Sequence, residues 1–420
     1  MTDERTFVIV GASLTGAKAA ETLRAEGFTG RIVLVGEETD RPYERPPLSK
    51  GYLLGKEPRD KAYVHDAQWY ANHDVDLVLG VRATSLDAKA HTITLDDVEP
   101  LRYDKLLLAT GSRVRRLDLP GTDNLGIRYL RTITEADAIL YDLREGAQVL
   151  VVGAGWIGLE VAAAARAHGA SVDMVVRGRL PLQAVLGPEV ARVYANLHRA
   201  RGVTLHIESG VREFGGAGGR VTHAVLDNGT EVPVDLVIVG VGIIPATELA
   251  EAAGLEVDDG IVTDQYLRTS DPDIYAAGDV ASSVNPLLDR RIRVEHWANA
   301  LNGGKSVARA MLGQDAVYDR VPYFYSDQYD LGMEYSGYVD REEGYDSVVF
   351  RGDPSIADGK APEFLAFWVK RGRVLAGMNA NVWDVQNEIQ ALVRAGYAGK
   401  SVDLTKLANS EVPLAEVVGD

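Results

Sequence analysis

The fold of this 420-residue chain is decided by the stretch Phe7-Val8-Ile9-Val10-Gly11-Ala12-Ser13-Leu14-Thr15-Gly16. Its apolar start predicts a buried β-strand, its glycines predict a tight turn, and the Ala-rich run that follows predicts a helix. Such a turn lets the backbone approach a dinucleotide pyrophosphate, while the free N–H groups and the dipole of the helix attract the phosphates. Ser13 stands where the usual pattern has its middle glycine, and a residue of that size still allows close approach.

The same pattern returns in the middle of the chain as Val149-Leu150-Val151-Val152-Gly153-Ala154-Gly155-Trp156-Ile157-Gly158. Because both copies follow an apolar strand and open an Ala-rich helix, coincidence is a poor explanation for them. Two sites in one chain predict two dinucleotides bound face to face, and therefore electron transfer between them. The apolar run 31–38 predicts the next strand of the first site, and Glu37 at its end can accept hydrogen bonds from an adenosine ribose.

The order of these motifs predicts an α/β protein with two Rossmann-like dinucleotide-binding domains and a C-terminal α+β domain. The segment Ile274-Tyr275-Ala276-Ala277-Gly278-Asp279 is a short apolar strand ending in Gly-Asp, which we interpret as a return to the first domain. In the last part of the chain, apolar runs on either side of residues 370–373 predict a hairpin. The predicted ranges are 1–113 with 244–318 for the first domain, 114–243 for the second, inserted in the first, and 319–420 for the third.

The amino-acid composition argues against several classes of function. The chain has no cysteine, so it cannot hold electrons on a dithiol or bind a metal through thiolates, and a bound organic cofactor must hold them instead. With 44 basic and 61 acidic residues the net charge is −17, which disfavours nucleic-acid binding. No apolar run approaches the roughly 18 residues of a membrane span. The start Met1-Thr2-Asp3-Glu4-Arg5 lacks the pattern of a secretory signal, so we expect a cytoplasmic protein without membrane contact.

The end of the second strand of the inserted domain indicates the nucleotide. An NAD site usually carries an acid there for the ribose 2′-hydroxyl, whereas an NADP site offers arginine to the 2′-phosphate. Here Val176 stands at the expected position of the acid, and Arg177 and Arg179 follow it. Two guanidinium groups would bind a phosphate through charge-assisted hydrogen bonds. The sequence therefore favours NADPH as electron donor, with NADH possible if both arginines are merely solvated.

Together with the two turns, several longer stretches resemble one family. The chain is similar to the FAD-dependent ferredoxin reductases that serve bacterial oxygenases and cytochromes P450, the putidaredoxin reductase type, which are related to rubredoxin reductase and apoptosis-inducing factor. The matching stretches are Arg41-Pro42-Tyr43-Glu44-Arg45-Pro46-Pro47-Leu48-Ser49-Lys50, Leu108-Ala109-Thr110-Gly111, Tyr129-Leu130-Arg131-Thr132, Gly153-Ala154-Gly155-Trp156-Ile157-Gly158-Leu159-Glu160, Ala276-Ala277-Gly278-Asp279-Val280 and Ser326-Asp327-Gln328.

The resemblance implies that FAD occupies the first domain and NAD(P)H the second. It places Thr15 at the phosphate turn, Ala83 against the adenine and Asp279 on the ribityl chain. The residues that it implies for FAD are Gly11, Ser13, Thr15, Gly16, Glu37, Arg45, Lys50, Ala83, Ala109, Thr110, Gly111, Arg131, Asp279, Glu295 and Trp297. The residues expected to bind NAD(P)H are Gly153, Gly155, Trp156, Ile157, Gly158, Glu160, Arg177, Arg179 and Gly242. Of these, Arg177 and Arg179 are expected from the end of the strand and not from the resemblance, because Val176-Arg177 departs from the acid of the NADH-using members.

Two of these residues are implied to be catalytic. Lys50, which follows a segment stiffened by two prolines, would approach the flavin N5 and pair with Glu160. We expect Glu160 in the first turn of its helix rather than on a solvated face. No metal is expected. The chain departs from the family pattern at Tyr325, where relatives usually have Trp, and at Gly303, where they usually have Gln.

The resemblance implies an NAD(P)H:ferredoxin oxidoreductase. Electrons would pass through FAD to an iron–sulfur ferredoxin, expected to be of the 2Fe–2S kind, which supplies an oxygenase or cytochrome P450. An acidic ferredoxin would need a local basic patch, for which Arg290–Arg293 and the pair Lys305 and Arg309 are candidates. Two alternatives remain open: an NAD(P)H oxidase or rubredoxin/quinone reductase, and a non-enzymatic, redox-sensing flavoprotein whose NAD(P)H binding alters its contacts with partners.

Overall fold

A computed structural model describes residues 3–357 and 359–419 of the chain. These residues form two compact units. The first unit comprises residues 3–44, 59–113 and 244–322, and the second comprises 45–58, 114–243 and the described residues from 323 onward. Segment 45–58 thus groups with the second unit, although the sequence-based range 1–113 includes it. The three predicted domain ranges stay a prediction.

The first unit is built around a parallel sheet, with a small antiparallel sheet, β4-β5-β6, and a mixed sheet, β18-β20-β21. Its strands are β1 Thr6–Val10, β2 Arg31–Gly36, β3 Val75–Leu79, β4 Ala83–Asp87, β5 Thr92–Leu95, β6 Val98–Arg102, β7 Lys105–Leu108, β18 Ile261–Thr263, β19 Ile274–Ala276, β20 Ala281–Asn285 and β21 Arg290–Arg293. Its helices are α1 Leu14–Ala25, α2 Ala67–Asn72, α6 Glu248–Ala252 and α7 Trp297–Met311. Two short strands, β8 Ser112–Val114 and β17 Ile243–Pro245, lie where the chain passes from one unit to the other.

The central sheet of the first unit has the order β19-β7-β1-β2-β3, with every pair parallel. Phe7 and Ile9 pack in one apolar cluster with α1 and α7, and Val8 and Val10 pack in another with β4 and β5. Both faces of β1 are therefore covered, which is why the strand is a continuous apolar run. From β1 the chain adds β2 and β3 on one side of the sheet and then β7 on the other side of β1. The carboxyl ends of β1 and β7 therefore flank the crevice in which sheets of this kind bind ligands.

The second unit contains a parallel sheet and two antiparallel sheets. Its strands are β9 Ile127–Tyr129, β10 Gln148–Val152, β11 Ser171–Val176, β12 Val203–Ile207, β13 Val211–Ala217, β14 Arg220–Leu226, β15 Glu231–Pro233, β16 Leu236–Val239, β22 Tyr323–Gln328, β23 Leu331–Gly337, β24 Ser347–Gly352, β25 Phe364–Lys370 and β26 Arg373–Ala380. Its helices are α3 Ile133–Asp142, α4 Trp156–Ala167, α5 Gln183–Ala200, α8 Gln386–Tyr397 and α9 Leu404–Ala408.

The parallel sheet of the second unit has the order β12-β11-β10-β16-β9 and repeats the arrangement of the first. Strands β22-β23-β26-β25-β24 form an antiparallel sheet against which α8 packs, and β25 and β26 form the predicted hairpin. The predicted fold class, two Rossmann-like domains and a C-terminal α+β part, is confirmed. Within the described residues, no helix has the length and apolar character needed to cross a membrane. The cytoplasmic location stays a prediction.

The first glycine of each turn is required by the backbone. Gly153 has φ +108°, and a Cβ there would lie 2.2 Å from Gly240 O, in the chain that follows β16. Gly11 has φ +121°, and its Cβ would lie 2.1 Å from Ala109 O, after β7. Each glycine thus sits where two neighbouring strands end too close together for a side chain. Gly155 differs, because its φ is −82° and a Cβ there would meet no protein atom within 4 Å.

We predict that Gly153→Ala destabilises the protein, since the substitution adds both backbone strain and a clash with a carbonyl oxygen. The expected loss is about 3 kcal/mol of unfolding free energy. Gly155→Ala, two positions away in the same turn, is the matched control and should change stability by less than about 0.5 kcal/mol. Urea unfolding followed by fluorescence measures both. Equal midpoints for the two variants would contradict the prediction.

Candidate functional site

The turn between β1 and α1 is shaped to accept an anion. Ser13 is the N-cap of α1, its side chain makes no capping hydrogen bond, and the first turn of the helix holds no acidic residue. No side chain of that turn therefore competes for the first N–H groups. Thr15 and Gly16 are buried, and Thr15 is crowded by two glycines. A Cβ at Gly278 would lie 2.6 Å from Thr15 Oγ1, and one at Gly304 would lie 2.5 Å from Thr15 O.

Most of the other residues predicted to hold FAD in the first unit follow the parallel strands of its sheet. Exposed Glu37 comes directly after β2, residues 109–111 come after β7, and Asp279 comes after β19. Because parallel strands end on the same edge of a sheet, these residues lie along the edge that carries the β1–α1 turn. Thr110 Oγ1 donates to Ala246 O at 2.7 Å. Ala83 instead begins β4, in the small antiparallel sheet.

The N-terminus of α7 adds further predicted residues to the first unit. Trp297 opens the helix, and its Nε1 donates to Glu44 Oε2 at 2.9 Å. Glu295 forms an ion pair with Arg293 instead of lying unpaired. Burial lowers the pKa of His296, the N-cap of α7, to about 4, and nearby Asp279 acts in the opposite direction. Asp279 and the start of α7 therefore share one electrostatic environment.

The turn between β10 and α4 in the second unit has the same character. Gly155 is the N-cap of α4, and both Gly155 and Ile157 are exposed, while Gly158 is buried below them. Trp156 points inward, where its ring meets Tyr194 and Phe324 edge to face. Gly242, predicted for the same site, has φ +106°. The exposed backbone at 155–157 is what a pyrophosphate needs, because nothing from the protein covers it within this unit.

The end of β11 carries the residues predicted to select the nucleotide. Val176 is buried, and Arg177 and Arg179 are exposed beyond it. Arg179 Nε lies 3.3 Å from Glu208 Oε1, and the Glu208 N–H donates to Gly178 O at 3.0 Å. A carboxylate from the loop after β12 thus lies beside the end of β11. Sequence analysis missed Glu208 because it lies on a different strand connection.

Lys50 and Glu160 form an ion pair in the second unit. Lys50 follows the 3₁₀ turn Pro46–Ser49, and its Nζ donates to Glu160 Oε1 at 2.8 Å. Glu160 is only 2% exposed. The expectation that it lies in the first turn of α4 is wrong: the helix begins at Trp156, so Glu160 is its fifth residue and points into the interior. The hydroxyls of Ser49 and Ser326 also donate hydrogen bonds to the Glu160 carboxylate.

Arg45, Arg131 and Tyr325 make further contacts in the second unit. The Arg45 guanidinium donates to Arg131 O, which joins two residues assigned to FAD. The ring of Tyr325, at the position where the family usually has Trp, has its centroid 5.1 Å from Lys50 Nζ. Tyr325 therefore keeps an aromatic face beside the lysine charge. Segment 45–58 is anchored elsewhere by Tyr52, which donates to Asp137, and by Leu53 O, which lies 2.8 Å from His168 Nε2.

The basic residues expected to receive a ferredoxin are largely compensated within the first unit. Arg293 pairs with Asp259 and Glu295, and Arg309 pairs with Glu26. The Arg291 guanidinium donates to two backbone carbonyls. These contacts reduce the free positive charge that the sequence suggests for this patch. Among the described residues, no group of three or more His, Asp or Glu side chains is arranged to hold a metal ion.

Comparison with known proteins gives matches over nearly the whole chain. Residues 5–304 match the pyridine nucleotide-disulphide oxidoreductase family, and residues 323–418 match the reductase C-terminal family. The chain is 40% identical to the ferredoxin–NAD(+) reductase component of the anthranilate 1,2-dioxygenase system of Burkholderia cepacia, over 97% of this chain and 98% of that protein. It is 37% identical to putidaredoxin reductase of Pseudomonas putida, over 98% and 96% of the two chains.

A solved structure agrees with these matches. In the crystal structure of a covalent putidaredoxin reductase–putidaredoxin complex, the matched chain superposes with a TM-score of 0.91 at 36% identity. The match covers 98% of the present chain and 97% of the other. At this identity and coverage the likeness extends through both nucleotide-binding sheets and the C-terminal sheet.

We predict an acid-sensitive contribution to stability from His198 of α5. Burial lowers its pKa from the ordinary 6.5 to about 4, and a hydrogen bond with Gln328 acts in the opposite direction. The native state requires the neutral ring, so this contribution is complete above about pH 6.5 and is lost as the pH falls toward 4. In that window the unfolding free energy of wild type should therefore fall more steeply with decreasing pH than that of His198→Gln. The difference between the two slopes should be about 1.4 kcal/mol per pH unit.

Urea unfolding between pH 7 and pH 4.5 measures this difference. His296 adds a loss of the same sign in both proteins, so the comparison depends on slopes rather than on absolute stabilities. His73→Gln, which removes an exposed histidine from the end of α2, should keep the wild-type slope. Parallel pH profiles for wild type and His198→Gln would contradict the assignment.

Proposed function

We propose that this chain, which belongs to the pyridine nucleotide-disulphide oxidoreductase family and within it to the ferredoxin reductases, passes electrons from NAD(P)H to a 2Fe–2S ferredoxin. It is an FAD-dependent oxidoreductase. FAD, when bound, accepts a hydride from the nicotinamide and releases the two electrons singly. The observation that carries the proposal is that each unit has a helix N-terminus without a capping side chain, preceded by a glycine whose Cβ position is blocked by a carbonyl oxygen.

The residues of the first unit fit FAD. The first turn of α1 offers N–H groups without a competing side chain, and exposed Glu37 stands at the end of β2, where a ribose hydroxyl is expected. Asp279 lies on the same sheet edge. The absence of cysteine matters here, because the family takes its name from enzymes that pass electrons to a disulphide. This chain offers no such acceptor, which favours an external one-electron partner.

We assign Lys50 and Glu160 to the flavin chemistry. A lysine ammonium beside a bound flavin would stabilise the negative charge that reduction adds to the ring. Lys50 can serve only if its side chain is held in one place, and Glu160 holds it through an ion pair from which water is largely excluded. Tyr325 limits the remaining space on one side of the ammonium.

A ferredoxin is the acceptor that the relatives favour. One is named as the ferredoxin reductase component of a dioxygenase system, and another is seen in a complex with putidaredoxin. By this likeness the ferredoxin of the present chain would supply an oxygenase or a cytochrome P450. An oxidase and a rubredoxin or quinone reductase use the same first half-reaction and differ only in the acceptor, whereas a redox-sensing flavoprotein would be reduced slowly.

The first experiment therefore separates the half-reactions. We predict that protein reconstituted with FAD is bleached by NAD(P)H without oxygen and then reduces 2Fe–2S ferredoxins at least about tenfold faster than rubredoxin, quinone or oxygen. Stopped-flow absorbance measures the first step, and steady-state assays with a panel of acceptors measure the second. A yellow protein that no pyridine nucleotide bleaches would overturn the proposal. Fast bleaching with oxygen or rubredoxin as the best acceptor would support an alternative.

NADPH is the proposed donor. Val176 offers no carboxylate to repel a 2′-phosphate, and Arg177 and Arg179 are exposed at the end of β11. Glu208 opposes this preference, because its carboxylate pairs with Arg179. That ion pair would have to break before Arg179 could contact a phosphate. The pair is largely exposed, so the ion pair is weak and its exchange for a phosphate contact is favourable.

We predict that Arg177→Ala combined with Arg179→Ala lowers kcat/KM for NADPH about tenfold and changes that for NADH less than about twofold. Glu208→Gln should raise the NADPH-to-NADH ratio about threefold, because it frees Arg179. Arg212→Ala is the control, since Arg212 is also exposed and its side chain pairs with Glu213 and not with Glu208. Equal losses with both nucleotides, or a wild-type enzyme that prefers NADH, would show that the arginines do not select the phosphate.

A further inference from the structure

A buried chain of hydrogen bonds ends on the Glu160 carboxylate and involves residues to which no role has been given. His198 Nε2 lies 2.9 Å from Gln328 Oε1, and Gln328 Nε2 donates to Ser326 Oγ at 3.1 Å. Ser326 Oγ then donates to Glu160 Oε1 at 2.6 Å. Each of these four side chains is at most 2% exposed. This chain of hydrogen bonds joins α5, β22 and α4, which are far apart in sequence.

The donor and acceptor groups give this chain of hydrogen bonds one direction of donation. Gln328 Oε1 can only accept, so the His198 ring must carry its proton on Nε2. The amide nitrogen of Gln328 then faces Ser326 and donates to it, which leaves the serine proton for Glu160. At the far end, the Tyr329 hydroxyl lies 3.2 Å from His198 Nδ1, which accepts in the neutral ring. Every donor in the chain therefore points toward the carboxylate.

The opposite direction would suit a different charge state. If the Gln328 amide were rotated by half a turn, Ser326 would donate to it, and Glu160 could keep the hydrogen bond only as a protonated acid. Lys50 would then face a neutral group and lose most of its electrostatic partner. The direction of the chain and the charge of Glu160 are thus linked, and rotating a fully buried amide requires breaking two hydrogen bonds at once.

We propose that Gln328 and His198 are positioning residues that direct the Ser326 proton to Glu160 and so keep Glu160 as the carboxylate that holds Lys50. A buried carboxylate is costly unless its oxygens are satisfied. Here Ser49 serves one oxygen, and Ser326 and Lys50 serve the other. The functional consequence of this inference rests on the proposed role of Lys50 in flavin reduction, whereas the hydrogen-bond chain itself does not.

Other titratable groups near the carboxylate define what a pH profile would report. Besides Lys50 from the segment 45–58, Glu160 faces Asp327 from β22 and Tyr194 from α5. Burial raises the pKa of Tyr194, so its hydroxyl is neutral across the working range. Burial and the Glu160 charge both raise the pKa of Asp327, so Asp327 also responds to Glu160. A change that appears on removing Gln328 and disappears with Glu160 therefore acts through Glu160.

The decisive experiment is a double-mutant cycle between Gln328 and Glu160. Gln328→Met keeps the length of the side chain and removes both hydrogen bonds. We expect it to slow anaerobic flavin reduction about fivefold at pH 7 and to shift the pH profile of that rate. In a Glu160→Gln background the same substitution should change the rate less than about twofold. Tyr323→Phe is the control, because it removes a hydroxyl on the same strand that donates to Glu334 instead.

Stopped-flow reduction and urea unfolding are measured on all variants. Additive effects of Gln328→Met and Glu160→Gln on both rate and stability would overturn the inference. Where Glu160→Gln itself slows flavin reduction, a loss of stability in Gln328→Met with an unchanged rate and pH profile would overturn it as well. If Lys50→Met and Glu160→Gln reduce flavin at the wild-type rate, the proposed role of the ion pair fails. The unfolding cycle then still decides the inference, because coupling between Gln328 and Glu160 supports the chain and additivity rejects it.

Discussion

A carboxylate that is almost completely removed from water must find its partners within the protein, and in the second unit that constraint falls on Glu160. Its partners come from the 3₁₀ turn that carries Ser49, from Lys50 directly after it, and from Ser326 on β22. Segment 46–50, helix α4 and strand β22, each more than a hundred residues from the next in sequence, therefore meet at one charge. This explains why segment 45–58 groups with the second unit, since Leu53 is fully buried there as well.

The two nucleotide-binding turns show a second use of close packing. At Gly11 and Gly153 the backbone passes so near a neighbouring strand end that no side chain fits, and the helix that follows begins without a capping side chain. The same local geometry thus leaves N–H groups available at the edge of each parallel sheet. Each unit therefore offers the same kind of helix N-terminus to a nucleotide phosphate.

The arginines of the chain differ in how far the protein itself compensates their charge. Arg177 and Arg179 are exposed, and the carboxylate of Glu208 beside them forms only a weak, solvated pair that a ligand can replace. By contrast, the arginines of β21 and α7 that the sequence suggests for a docking patch are paired with acids or carbonyls of their own unit. The net charge of −17 therefore says little about where a partner would bind, because pairing decides which charges remain available.

The sequence by itself determined the two strand–turn–helix units, the hairpin near the C-terminus and the assignment to the family, because apolar period and glycine spacing are local properties. It also indicated Lys50 and Glu160 as a pair, although only through resemblance. Tertiary structure decided that Glu160 points inward from beyond the first turn of α4, that Glu208 faces Arg179, and that His198 and Gln328 extend the network. These contacts join residues on different elements, and their distances depend on how the sheets and helices pack, which no local pattern encodes.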